Sequence, residues 1–154
     1  MILANTIAPN FELLNSEGKQ ISLSDYLGKP VVLYFYPKDN TPGCTTEACN
    51  FRDDYGEYQK QGIEIIGVSP DTEKSHNKFI SKHMLPFALL ADKDHKVCEM
   101  YGVWGKKKMF GKEYFGVQRT TFLIDKDGSI AKVFKGVKPA NHSKEVIAAF
   151  KGLL

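Results

Sequence analysis

Hydrophobic residues along the chain fall into short runs of two kinds. Val31-Val32-Leu33-Tyr34-Phe35-Tyr36 is almost continuously apolar and rich in β-branched and aromatic side chains, the pattern of a strand covered on both faces. Ile63-Glu64-Ile65-Ile66-Gly67-Val68 repeats it. Between them Ala48, Phe51, Tyr55 and Tyr58 recur at steps of three and four, which predicts one helical face, closed by Gly62. Strand, helix and strand then make a βαβ crossover. Upstream, Phe11 and Leu13, the turn residues Asn15-Ser16-Glu17-Gly18, and Ile21 and Leu23 predict a hairpin with one buried face that caps one side of the core. Ser24-Asp25 can cap a single turn that Gly28 and Pro30 end.

Downstream, Asp71 or Thr72 can cap a further helix with Phe79 and Ile80 facing inward. Pro86 precedes a short apolar stretch at residues 87–90, and a short helix is expected over residues 96–101. Lys106, Lys107, Lys108 and Met109 lie between Gly105 and Gly111 and read as an exposed hairpin or flexible loop. Thr120-Thr121-Phe122-Leu123-Ile124 is a third strand, and Asp125-Lys126-Asp127-Gly128 turns it into an antiparallel partner at residues 130–134. Val146, Ile147, Phe150, Leu153 and Leu154 mark one stripe of a last helix that begins near Asn141 or Ser143. This order predicts an α/β protein with a central mixed sheet of about five strands flanked by helices and an N-terminal β-hairpin, for which a thioredoxin-like arrangement is the simplest match.

With 154 residues, 42% hydrophobic and 25% charged, the chain reads as one domain over residues 1–154. That length needs no disulfide or metal staple. Three unevenly spaced cysteines, Cys44, Cys49 and Cys98, argue against a secreted disulfide framework and leave redox or nucleophile chemistry open. The net charge of +3 falls below the clustered excess of a nucleic-acid binder. Met1-Ile2-Leu3-Ala4 lacks a basic n-region and no apolar run approaches about eighteen residues, so a cytoplasmic protein without secretory signal or membrane span is expected. His76, His83, His95 and His142 stand at no zinc-like spacing to a cysteine, so no metal is expected.

The chemically informative segment is Pro37-Lys38-Asp39-Asn40-Thr41-Pro42-Gly43-Cys44-Thr45-Thr46-Glu47-Ala48-Cys49. It puts Cys44 in the first turn of a helix, beyond the C-terminal end of the central strand, where open α/β sheets bind ligands. Free backbone N–H groups and the helix dipole favour a thiolate there. Acidity alone achieves little. Lowering a cysteine pKa by ~2.5 units multiplies its thiolate fraction at neutral pH by ~30 but removes about tenfold of nucleophilicity per thiolate. A fast cysteine needs neighbours that orient its electrophile and stabilise the departing charge.

Pro37, Thr41 and Cys44 match P-x-x-x-T/S-x-x-C, and the segment from Thr41 to Cys49 resembles the bacterioferritin comigratory protein, or PrxQ, subgroup of the peroxiredoxins. The resemblance extends to Ala8-Pro9-Asn10-Phe11, to Ile66-Gly67-Val68-Ser69-Pro70-Asp71 and to Arg119-Thr120-Thr121-Phe122-Leu123-Ile124-Asp125, hence over nearly the whole chain. It implies that Cys44 is the peroxidatic cysteine and forms a sulfenic acid. Thr41 would hydrogen-bond the peroxide, Arg119 would hold thiolate and peroxide oxygen, the Gly43 and Cys44 N–H groups would complete the cradle, and Pro37 would shield the sulfur. Cys49 matches the subgroup's resolving cysteine. In a regular helix that spacing corresponds to ~500° of rotation and a rise of about 7.5 Å, so a disulfide requires the first turns to unwind. Thioredoxin or a similar dithiol would re-reduce it; no bound cofactor is required, and a monomer is expected.

Other residues read more plainly. Glu47 is a first-turn or capping-box acid with a bond to Arg119 as the alternative. Thr41 doubles as a helix cap, Trp104 as packing near the site, and Cys98 as a structural cysteine that could still resolve Cys44. Lys106, Lys107 and Lys108 form a solvated loop, with docking of an acidic partner as the alternative. A thioredoxin-type oxidoreductase is disfavoured by C-x4-C spacing where that chemistry shows C-x-x-C. A redox sensor or holdase with the same reactive centre differs from a peroxidase only in turnover and partners.

Overall fold

In the computed structural model, which describes residues 2–153, the two apolar runs are adjacent strands at the centre of a seven-stranded sheet. The strands are β1 (Glu12–Asn15), β2 (Gln20–Ser22), β3 (Val31–Phe35), β4 (Glu64–Ser69), β5 (Ala88–Ala91), β6 (Trp104–Met109), β7 (Lys112–Val117), β8 (Thr120–Ile124) and β9 (Ile130–Lys135). The helices are α1 (Pro42–Asp53), α2 (Tyr55–Lys60), α3 (Glu73–His83), α4 (Lys96–Met100) and α5 (His142–Leu153). The sheet runs β2-β1-β5-β4-β3-β8-β9, while β6 and β7 form a separate hairpin.

Every residue of β3 is buried, as its unbroken apolar pattern requires. Successive side chains alternate between faces. Val31, Leu33 and Phe35 join Tyr101, Val103 and Phe122 in one core layer. Val32, Tyr34 and Tyr36 join Ala48, Phe51, Val146 and Phe150 in the other, beneath α1 and α5. β3 pairs parallel with β4 and antiparallel with β8, Phe35 lying opposite Val68 on one side and Thr120 on the other.

Three expectations change. The sheet has seven strands rather than about five. The apolar stretch after Pro86 is β5, parallel to β4, and the N-terminal hairpin joins the sheet by pairing β1 with β5, Leu14 opposite Ala91. A four-residue strand is too short to show a period, and an edge left unpaired on β4 would expose a row of backbone donors. The helix after Cys44 breaks at Asp54, with Asp53, Asp54 and Gly56 all poor interior helix residues, so α1 and α2 are separate. The lysine segment is the hairpin alternative, and its second strand, β7, begins just past Gly111. Val146 and Phe150 of the last stripe are buried; Leu154 and the Leu153 side chain lie outside the described residues. Among the described residues no helix is long and apolar enough to cross a membrane.

Gly67 shows how tightly the site-bearing layer is packed. It sits between Tyr34 and Leu89 on the neighbouring strands, and a Cβ there would come within 2.6 Å of Leu89 Cδ2 and 2.9 Å of Tyr34 Cζ. Gly67→Ala is expected to lower stability by about 1–3 kcal/mol, as overpacking does, read as a shifted midpoint in urea denaturation.

Candidate active site

The site forms where the chain leaves β3. After Tyr36 it turns through residues 37–41, with Asn40 in the left-handed region at φ 62°, and enters α1 at Pro42, whose fixed φ suits a first helical position. Cys44, Glu47, Ala48 and Phe51 are the buried stripe of α1. Arg119 arrives from the other side of β3. Because Thr120 lies opposite Phe35, the residue before it reaches the sheet end where α1 begins. Strand alternation puts Arg119 on the same face as Leu123, the face that α1 covers.

The two chain segments meet through a guanidinium. Arg119 Nη2 donates to Cys44 Sγ at 3.2 Å, and Nη1 donates to Glu47 Oε1 at 2.7 Å. Cys44 is only 2% exposed and Glu47 only 1%. A side chain on Gly43 would bring a Cβ within 3.2 Å of Nη2, so the glycine admits the arginine. Burial drives the Glu47 carboxyl up to about 7, with Arg119 pulling in the opposite direction and offsetting only part of the shift. Glu47 Oε2 has no hydrogen-bond partner. Glu47 is therefore the arginine's partner and makes no capping box.

Thr41 is the residue that precedes α1, yet its hydroxyl does not cap the helix. Oγ1 donates instead to the Lys38 carbonyl at 2.8 Å, and only its backbone carbonyl serves the helix, accepting from Thr45 N. Pro37, Thr41, Gly43 and Arg119 line an open, mainly apolar groove of about 910 Å³, whose other wall is the β6–β7 hairpin with Trp104, Lys107 and Phe115. A smaller cavity of about 270 Å³ at the opposite end of β3, among Leu23, Tyr26 and Ile124, has no cysteine in its lining.

Cys49 is half-buried on α1, off the buried stripe, and all three cysteines are free. Cys98 is fully buried in the core layer on the other side of the sheet from Cys44, and burial raises its thiol well above the ordinary range, Asp92 adding to the effect. It is a packed structural residue, screened from Cys44 by β3 and its neighbours. Trp104 stacks on His95 at 4.0 Å between ring centres. His142, the first residue of α5, bonds Thr121 and Glu145, and burial lowers its pKa.

Three residues from two separate stretches of the sequence are brought together behind the site by the fold alone. Asp39, Asp71 and His76 bring potential metal ligands together, but serine, tyrosine and backbone donors already bridge them. The sequence offers Asp71 or Thr72 as the helix cap, and Thr72 takes that role, accepting from Ser75 N. The only sequence signal for His76 is its place on the buried α3 stripe with Phe79.

The sequence matches the AhpC/TSA family over residues 4–133. The chain belongs to that family. Within it the chain groups with the Bcp and PrxQ peroxiredoxins. Peroxiredoxin Bcp of Bacillus subtilis is 52% identical over 146 residues, covering 95% of this chain and 93% of that one. A cysteine mutant of Xylella fastidiosa PrxQ superposes with a TM-score of 0.92 at 35% identity, over 99% of this chain and 97% of that one. The bacterioferritin comigratory protein of Xanthomonas campestris, solved in connection with its alkyl peroxide reduction activity, gives 0.88 at 40% identity over 93% and 91%. The thioredoxin-like peroxiredoxin fold and its family are thereby shown, and the family supports thiol peroxidase activity.

Because folding raises the Glu47 pKa, the folded state holds its proton more tightly, so the stability this group contributes is full below its ordinary 4.5 and is lost as pH rises through about 7. Glu47→Gln removes that titration. Urea denaturation at pH 4.5 and pH 8 should show the wild type losing on the order of 3 kcal/mol more than the variant across the interval.

Proposed function

We propose that the chain, as one domain over residues 1–154, is a thiol-dependent peroxidase that reduces hydrogen peroxide and organic hydroperoxides at Cys44. The observation that carries this reading is the 3.2 Å hydrogen bond from Arg119 to a buried Cys44 sulfur beside an open groove. A cation that donates to sulfur favours the thiolate, and its remaining N–H groups suit an oxygen that is gaining charge.

In this reading the Cys44 thiolate attacks the terminal oxygen of R–O–O–H in line with the O–O bond. The S–O bond forms as the O–O bond breaks, sulfur is oxidised to the sulfenic acid, and the departing alkoxide or hydroxide takes up a proton to leave as alcohol or water. Arg119 and the N–H groups of Gly43 and Cys44 hold the developing negative charge. The Thr41 hydrogen is already committed to the Lys38 carbonyl, so the hydroxyl oxygen faces the peroxide as an acceptor for its O–H. Pro37 keeps water from the sulfur, and the apolar groove suits an organic tail.

Cys49 then attacks the sulfenic sulfur, forming the Cys44-Cys49 disulfide and releasing water. The two cysteines lie on one regular helix with a rise of about 7.5 Å between them, so residues at the start of α1 unwind before the bond closes. Two electrons from thioredoxin or a related dithiol restore both thiols, with no bound cofactor. Both cysteines belong to one helix, so the cycle runs within a monomer, and its dependence on reduced thiols favours the cytoplasm.

Peroxide consumption with a thioredoxin system tests the whole reading. Cys44→Ser should be inactive, Cys49→Ser should reduce one equivalent and stall, and Arg119→Met should fall by about 10²–10³ in kcat/KM. Sustained turnover by Cys44→Ser, or full activity in Arg119→Met, overturns it.

A further inference from the structure

Behind the groove lies a polar cluster that the peroxide chemistry above leaves without a role. Asp39, five residues before Cys44, is 5% exposed and turns its carboxylate into the protein. Tyr36 Oη donates to its Oδ1 at 2.6 Å and Ser75 Oγ to its Oδ2 at 2.8 Å. His76 Nδ1 lies 2.8 Å from the same Oδ2, and His76 Nε2 lies 3.0 Å from the Leu90 carbonyl. A carbonyl only accepts, so Nε2 carries a hydrogen and Nδ1 faces the Asp39 carboxyl. A buried carboxylate so fully paired anchors the loop to α3 and β5.

The anchor bears on one peptide plane. The peptide between Lys38 and Asp39 is gripped at both ends: its N–H donates to Asp71 Oδ2 at 2.8 Å, and its carbonyl accepts from Thr41 Oγ1 at 2.8 Å. Ser69 Oγ holds the same Asp71 oxygen at 2.6 Å. Were this plane to rotate, the Thr41 hydrogen would lose its acceptor and could turn toward the substrate. The hydroxyl would then present a donor to a peroxide O–H that itself needs an acceptor.

We propose that Asp71 is a positioning residue for peroxide reduction, acting with the Asp39 and His76 anchor to fix the peptide between Lys38 and Asp39 so that Thr41 presents only lone pairs to the peroxide. The inference rests on the reading of Thr41 as a peroxide contact. Asp71 itself touches neither sulfur nor substrate; it acts through Thr41.

The test compares two reactions of reduced protein at one pH: oxidation by hydrogen peroxide in stopped flow, and alkylation of Cys44 by iodoacetamide, which needs no acceptor at Thr41. Asp71→Ala should slow oxidation by ~10-fold, about the worth of one well-placed hydrogen bond, with alkylation within ~2-fold of wild type. Asp71→Asn, whose amide oxygen still accepts from the Asp39 N–H, should restore the oxidation rate. In a Thr41→Val background Asp71→Ala should cause no further loss, the non-additivity that marks a shared path. If Asp71→Ala does not fold, Ser69→Ala should show a smaller loss of the same kind that also vanishes with Thr41→Val. Unchanged oxidation in the folded variant, equal slowing of both reactions, or losses that multiply with Thr41→Val overturn the proposal. Normal oxidation in Thr41→Val overturns the underlying Thr41 contact instead, whereas a slow Thr41→Val beside a normal Asp71→Ala removes the positioning role alone.

Discussion

A single partly buried guanidinium ties the start of α1 to the start of β8. Arg119 bridges residues 72 and 75 positions distant in sequence, joining the carboxylate and the sulfur on one face of α1 to the start of β8. Neither charged partner could occupy its place alone. An unpaired carboxylate on the buried stripe of α1 would be strongly destabilising, and an arginine aimed into that layer without an acid would be as well. Burial raises the Glu47 pKa by more than the 2.7 Å contact with Arg119 lowers it. The guanidinium meets the acid through Nη1 and the sulfur through Nη2.

The sheet makes this contact by register. β3 is buried on both faces and hydrogen-bonded on both edges, so its C-terminal end is held from every side. From it the chain departs into the turn at residues 37–41, and beside it β8 begins and β4 ends. Cys44, Arg119 and Asp71 therefore converge without being close in sequence. The same geometry separates three chemically identical side chains. Cys44 is on the buried stripe of α1 under the arginine, Cys49 is half-exposed on another side of that helix, and Cys98 is sealed in the opposite core layer. Burial and face, rather than residue type, set their different surroundings.

Much of the architecture was legible from local pattern. The runs at β3 and β4, the turn before β9 and the stripe of α5 are long enough for periodicity or turn chemistry to be read directly. β5 was not, because four apolar residues after a proline carry no period, and the pairing of β1 with β5 is decided by two strands that are each too short to speak for themselves. The break at Asp54 follows from weak helix formers that the apolar spacing across it concealed. Glu47 carried a signal, an acid at a position that helical spacing assigns to the buried face, but its partner lay in another element.

The sequence by itself determined the place of Cys44 at the start of a helix after a central strand, and the residue types around it, because these are properties of contiguous chain. Tertiary structure alone decided which way the Thr41 hydroxyl points, which acid holds Arg119, that Cys98 is walled off, and that Asp39, Asp71 and His76 form one network behind the loop. Those facts depend on strand register and on which face of an element meets another. Such choices are made by long-range pairing and by the demand that buried polar groups find partners, neither of which is written at any one position.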